Sequence, residues 1–238
     1  MSCIEQSPPL LTTDCTREVS IDWLQPTPSK AKQKKLFRQQ IMSVSYDQNE
    51  LLQNIIELHL PEGIQVDATY GYGQFYTAIP RPEYCFDIAP KKPEAVVADS
   101  RQLPLAAGTI RSIMFDPPFV VTNHKTSDEY VMGKKYGAYR TITQLREHYK
   151  ASLDEFARVL RPYGMLVFKC QDFVHGRKNY FIHNEVLELA KEAGFKPVDL
   201  FILLAKNRFN GAVNFQNHAR KFHSYFWVFK RSGKKDQD

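Results

Sequence analysis

Six residues, Met114-Phe115-Asp116-Pro117-Pro118-Phe119, constrain the fold more than any other part of this 238-residue chain. The run Ile110–Phe115 reads as a strand. The two prolines must end it, because proline brings no N–H to a ladder and fixes its own φ. The strand therefore stops at Asp116. A stiff platform of Pro117 and Pro118 then points the Asp116 carboxylate and the Pro117 carbonyl into a cleft beside the ring of Phe119. A planar amino group on a purine or pyrimidine needs two hydrogen acceptors and a flat face for its ring. This tetrapeptide offers all three.

The surrounding pattern says what kind of sheet the strand joins. Short apolar runs at Ile64–Ala68, Glu83–Phe86, Ala95–Ala98 and Met165–Cys170 read as further strands, the last preceded by a turn at Pro162–Gly164. Asp47–Leu60 has helical spacing of Leu51, Leu52, Ile55, Ile56 and Leu58 behind Asp47 as N-cap. Thr143–Leu160 and His183–Ala193 are further helices, the second ending at Gly194, which suits a left-handed position. Leu200–Leu204 and Ser224–Lys230 close the pattern as two strands with no helix between them. Strands alternating with crossover helices predict an α/β fold, a doubly wound, mostly parallel seven-stranded sheet with an antiparallel final edge strand.

The length suits one such domain with an arm. Residues 1–45 are expected as a flexible, basic N-terminal arm, with Pro8, Pro9, Pro26 and Pro28 and a basic run Lys30, Lys32, Lys34, Lys35 and Arg38 in a short helix over 30–42. Residues 46–231 form the domain and 232–238 a polar tail. No apolar run approaches the roughly 20 residues that span a bilayer, and no signal peptide is expected. Cys3, Cys15, Cys85 and Cys170 lie far apart without a C-x-x-C pair, which fits reduced thiols in a cytoplasmic protein better than disulfides or structural zinc.

A second constellation lies at the ends of the strands before Asp116. In Asp67-Ala68-Thr69-Tyr70-Gly71-Tyr72-Gly73, the glycines let backbone approach a ligand just beyond the first strand. Tyr76 stands where a dinucleotide fingerprint needs glycine, which disfavours NAD. Asp87, followed by Ile88, ends the second strand and suits ribose hydroxyls; Asp99, followed by Ser100, ends the third and suits an adenine amine. Asp67, Thr69, Tyr70, Gly71, Gly73, Asp87, Ile88, Asp99 and Ser100 thus outline an adenosine-shaped site without a phosphate cradle.

Asp116-Pro117-Pro118-Phe119 resembles the D/N/S-P-P-Y/F signature of the exocyclic-amino methyltransferases, and Asp67–Gly73 resembles their cofactor motif. Arg161–Lys169 is similar to the family's R-x-L-x-P-G-G-x-L strand, and the similarity covers about residues 45–231. Thr69-Tyr70 and Tyr72 depart from the common form of the motif, where Phe and small residues are usual. The resemblance implies a class I methyltransferase fold of Rossmann-like type, S-adenosyl-L-methionine as cofactor, and no metal. It also implies methyl transfer to an exocyclic base amine, adenine N6 in DNA first and cytosine N4 second, in a compact bacterial or phage-encoded form. RNA base amines are the nearest alternative; a protein glutamine or a catalytically silent nucleic-acid-binding protein on the same fold are weaker ones.

Nucleic acid as partner also agrees with the charge, a net +6 that is unevenly spread. The chain leaves little room for a large target-recognition domain, so specificity is expected from loops, the arm, or a second subunit such as a homodimer partner. Two loops combine basic and aromatic or amide residues: Val120–Lys150 with Lys125, Lys134, Lys135 and Arg140, and Ala205–His223 with Lys206, Arg208, Arg220 and Lys221. No Cys or acidic residue stands at ligand spacing from His218 and His223, so no metal is expected there. At the end of the fifth strand, Lys169 is a candidate for a substrate phosphate and Asp172 for a helix cap.

Overall fold

The computed structural model describes residues 40–122, 137–205 and 217–233. From Ile41 onward the chain forms one compact unit. In chain order its elements are β1 (Val44–Ser45), α1 (Gln48–His59), β2 (Val66–Asp67), β3 (Tyr84–Asp87), β4 (Val96–Val97) and β5 (Ile110–Phe115). There follow α2 (Ile142–Val159), β6 (Leu160–Cys170), β7 (Phe173–His175), β8 (Lys178–Tyr180), α3 (Ile182–Glu192), β9 (Phe195–Leu204) and β10 (His223–Arg231).

The sheet has eight strands in the order β1-β9-β10-β6-β5-β2-β3-β4. Chain order turns back at β2/β5, as a doubly wound Rossmann-like sheet requires, and ligands bind such sheets beyond the carboxyl ends at that reversal. The α/β class is the expected one, with two differences in detail. The antiparallel strand is β10, and it sits inside the sheet between β9 and β6 rather than at the edge. The outer place belongs to β1, whose Val44 and Ser45 pair in parallel with Ile202 and Leu203. The last residues of the expected arm are therefore part of the sheet. Residues 1–39, with the whole basic run, and 234–238 of the tail lie outside the described residues.

Local signals explain the helices. The Asp47 carboxylate caps α1 by accepting from Asn49 N at 2.8 Å. Thr141 caps α2 through Gln144 N at 3.1 Å, while the Gln144 side chain accepts from Arg140 N. Gly194, at φ +87°, ends α3. The first half of the sheet departs from the expected alternation: the β2–β3 link carries only a short 3-10 turn, Gln74–Thr77, and no helix lies between β3 and β5. Pro80, Pro82, Pro90, Pro93 and Pro104 occupy those links, and proline in a helix interior costs about 3 kcal/mol. Pro162–Gly164 is a bulge within β6, where the register jumps from Ile110↔Leu160 to Ser112↔Met165, with Tyr163 at φ +64°.

β5 lies at the centre, buried on both faces. Ile113 and Phe115 face α2 and α3, while Met114 shares the other face with α1, Val167 and Phe226. Phe115 meets Phe156 and Phe168 edge-to-face at 4.9 Å. Truncating such a ring to alanine costs about 3–5 kcal/mol. The turn that follows is thus built on a strand packed on both of its faces.

Candidate active site

Backbone bonds join the strand ends that carry the candidate residues. Ala68 N donates to Met114 O at 3.1 Å and Tyr70 N to Phe86 O at 2.9 Å, so the turn after β2 is tied to both neighbours. Gly71 and Gly73 have φ of +55° and +68°. At Gly73 a Cβ would also come within 2.7 Å of the Tyr70 hydroxyl oxygen, so only glycine fits. Tyr70 is held there by stacking on Tyr76, with ring centroids 5.5 Å apart, and by its hydroxyl donating to Glu94 at 3.2 Å.

Asp67 is 2% exposed. It accepts from Thr69 N at 2.8 Å and from the Tyr76 hydroxyl at 2.5 Å. Burial pushes its carboxyl from 3.8 up to about 7, and these two hydrogen bonds offset only part of that rise. Among the described residues no cation pairs with it.

Asp87 accepts from Gly71 N and Ala89 N, both at 2.8 Å and each on a different oxygen. Ile88 beside it is 70% exposed. Asp99 is gripped by the Arg101 guanidinium at 2.6–3.1 Å, which holds its carboxyl down at about 2. Ser100 points away from these acids into the interior, bonded to His148 at 3.0 Å and Ser152 at 2.9 Å on α2. His148, kept neutral by burial, meets the Tyr139 hydroxyl through its other nitrogen.

Asp116 is fixed from two sides. Its N–H donates to Thr69 Oγ1 at 2.7 Å, and Lys169 Nζ donates to its Oδ2 at 3.0 Å. The pairing of Met114 with Val167 and Phe115 with Phe168 carries on to set Asp116 beside Lys169. Lys169 is only 12% exposed on its side chain, and its ammonium lies 4.8 Å from the Phe75 ring centroid and 5.5 Å from that of Phe226. Burial pushes the Asp116 carboxyl above its ordinary value, and Lys169 draws it back in part. Asp116 Oδ1 and the Pro117 carbonyl carry no partner among the described residues. The Tyr149 hydroxyl donates to Pro118 O at 2.9 Å and Gly137 packs against the Pro118 ring, which steadies the platform; Phe119 is half-buried next to it.

The acids read from the sequence stand at the strand ends, and the sequence reading did not include what holds them: Thr69 as acceptor for the Asp116 N–H, Tyr76 as donor to Asp67, and Lys169 as the ion-pair partner of Asp116. One signal was available for the last. A lone lysine in the apolar strand Met-Leu-Val-Phe-Lys-Cys needs a buried partner. Asp172 does serve the start of α3, accepting from His183 N at 3.1 Å. His218 and His223 bind Asn179 with Arg177 O, and Tyr225, respectively. Arg140, Arg220 and Lys221 are described; Lys125, Lys134, Lys135, Lys206 and Arg208 lie outside the described residues. A cavity of about 490 Å³ lined by Gly108, Arg158, Gly194 and Arg231 opens at the opposite, amino end of the strands and contains none of these groups. No helix among the described residues is long and apolar enough to cross a membrane.

No family model matches the chain. The DNA repair protein RecN of Rickettsia felis is 33% identical over 84 residues, 35% of this chain and 15% of RecN, and RecN of Rickettsia conorii gives the same figures. The chain therefore spans about 15% of the length of the curated relatives it matches. Among solved structures, TTHA0409 of Thermus thermophilus, a candidate DNA modification methylase complexed with S-adenosyl-L-methionine, is 16% identical with TM-score 0.41, covering 58% of this chain and 52% of that one. The Burkholderia thailandensis 1,6-didemethyltoxoflavin-N1-methyltransferase is 15% identical, TM-score 0.44, covering 74% and 76%. The [4+2]-cyclase SpnF is 12% identical, TM-score 0.48, covering 77% and 80%. At such scores the Rossmann-like α/β assignment rests on the strand order itself.

Proposed function

We propose that the chain is an S-adenosyl-L-methionine-dependent methyltransferase acting on an exocyclic amine of a nucleic-acid base, adenine N6 in DNA ahead of cytosine N4. One observation carries the reading: a stiff Asp-Pro-Pro-Phe turn whose aspartate is paired with a largely covered lysine and bonded to the same glycine turn that bears Asp67. Acceptors for an amine and a cofactor-sized turn thus share one strand edge.

The residues fit that cofactor. Asp67 is a buried carboxyl without a cation among the described residues, and an α-ammonium is the ligand group that would ionise it. Each Asp87 oxygen accepts one backbone N–H and keeps a lone pair for a ribose hydroxyl. Asp99 reaches an adenine amine only by sharing its carboxylate with Arg101. When bound, the cofactor supplies a methyl group on a sulfonium, already a good electrophile. The protein then has to hold and align the amine, and such alignment supplies roughly 7–11 kcal/mol of a barrier.

Asp116 Oδ1 and the Pro117 carbonyl accept the two amine hydrogens and stabilise the positive charge that grows on nitrogen. That role needs Asp116 as an anion despite its burial, and Lys169 maintains it. Phe119 stacks the base, which leaves a duplex at a cost of a few kcal/mol.

The test is transfer of labelled methyl from S-adenosyl-L-methionine to duplex DNA, single-stranded DNA and total RNA in parallel, followed by nucleoside analysis. N6-methyladenine in DNA is expected. Label confined to RNA would move the substrate, and no label in any nucleic acid despite cofactor binding by calorimetry would refute the reading.

A further inference from the structure

Four residues past Lys169 the chain enters the hairpin β7–β8, which no sequence pattern announced. We propose that this hairpin, Phe181 and the segment 217–222 form a docking platform for unpaired DNA flanking the target base; the proposal rests on the nucleic-acid reading above. Its place follows from β6, which carries Lys169 beside Asp116 and then runs directly into the hairpin at the carboxyl edge of the sheet.

Charge is the first argument. Residues 173–184 and 217–223 contain Arg177, Lys178, Arg220 and Lys221 and no Asp or Glu. None of the four forms an ion pair with a described carboxylate. Exposed rings stand among them. Phe181 is 51% exposed with Lys221 Nζ 5.7 Å from its centroid, Phe222 is 36% exposed, and Lys178 Nζ lies 5.5 Å from the Tyr180 ring. Tyr180 itself stacks on Phe173 at 5.5 Å, so the open aromatic surface is that of Phe181 and Phe222, and cations set beside such rings suit a strand whose bases are free to stack. None of these contacts requires a 2′-hydroxyl.

The two pieces are also fastened together. His218 Nε2 donates to Arg177 O at 2.8 Å, since a carbonyl can only accept, so its Nδ1 accepts from Asn179 Nδ2 at 3.0 Å. Gln171 Nε2 donates to Lys221 O at 3.2 Å. The hairpin tip adds a sharper clue. Gly176 and Arg177 have φ of +57° and +63°. A two-residue turn of this kind favours Asn-Gly, so an arginine stands where glycine would relieve strain.

That strain separates binding from folding. Arg177→Gly combined with Lys178→Gln removes two cations and eases the turn, so the melting temperature should not fall. The full chain is titrated against a labelled single-stranded DNA of about 20 nucleotides at several salt concentrations. Affinity should drop at least about tenfold near 0.1 M salt, and the slope of log K against log salt should flatten by about 1.4, roughly 0.7 for each phosphate that is no longer neutralised. Phe181→Ala should weaken binding at least about fivefold without changing the slope. Wild-type affinity and slope in the double variant, or a wild type that binds only duplex DNA or only RNA of the same sequence, overturns the platform. Cofactor calorimetry on the same preparations keeps the two readings apart: a wild type that binds no S-adenosyl-L-methionine overturns the methyltransferase reading, whereas unaltered DNA binding by a cofactor-competent variant overturns the platform alone.

Discussion

Asp67→Asn should make the protein more stable at neutral pH, and the size of the gain follows from the site. The carboxyl ordinarily titrates at 3.8 and is pushed up to about 7 by burial. An acid whose folded value lies above its unfolded value binds its proton more tightly when folded. Between pH about 4 and about 7 the folded chain keeps a proton that the unfolded chain has lost, so stability falls as pH rises across that window and is level above it. Three pH units at about 1.4 kcal/mol each put the loss at about 4 kcal/mol. Asparagine imitates the protonated acid: its oxygen can accept from Thr69 N while its amide donates to the Tyr76 hydroxyl. Urea unfolding of both proteins from pH about 5 to about 8.5 should show the variant gaining about 1.4 kcal/mol per pH unit up to about 7 and then holding steady. Cofactor affinity should fall in the same variant, because the neutral amide cannot neutralise an ammonium. Two stability curves that stay parallel over this range would refute the burial argument at Asp67.

Three further outcomes test the rest of the site. Lys169→Met removes the charge that draws the Asp116 carboxyl back down, so the acid limb of kcat/KM against pH should move upward, and a limb at the wild-type position would free Lys169 of that role. Asp116→Ala should lower turnover at least about a hundredfold while calorimetry still detects cofactor binding; full turnover with the fold intact contradicts the mechanism. Asp87→Ala should cost about 1.5–3 kcal/mol of cofactor affinity through the missing charge-assisted hydrogen bonds, and an unchanged dissociation constant would place the ribose elsewhere.

Elements with one strong local cause were legible in the sequence. Asp47 and Gly194 mark helix ends by their own chemistry, and the prolines at 117 and 118 stop β5 at the residue read from the sequence. The thin half of the sheet has a local cause as well, since Pro80, Pro82, Pro90 and Pro93 forbid the helices that the alternation suggested. The place of β10 has none. A strand that follows β9 without a helix can pair on either side of it, and only the Phe226 and Val228 face packing against Met114 and Val167 selects the inner position. β1 and the hairpin β7–β8 are two and three residues per strand, too short for a period to register.

The site divides along the same line. Acids at strand ends can be picked out because each follows a recognisable apolar run, and Asp67, Asp87 and Asp116 do gather at one edge. What sequence could not supply is the setting of Asp116, whose cation comes from a residue 53 positions away, whereas Asp99 finds its own two positions on. Asp99 and Asp116 show the consequence. Both follow a strand and are half-buried, but Arg101 wraps the first and holds it at about 2, whereas the second is raised by desolvation and relies on a single ammonium from β6. An acceptor that must stay anionic yet keep one oxygen open needs that arrangement, because a bidentate arginine would occupy both oxygens. Lysine, a point charge on one oxygen, leaves Oδ1 open. Lys169→Arg is therefore not a conservative exchange here, because it would close the oxygen that the proposed role of Asp116 needs open.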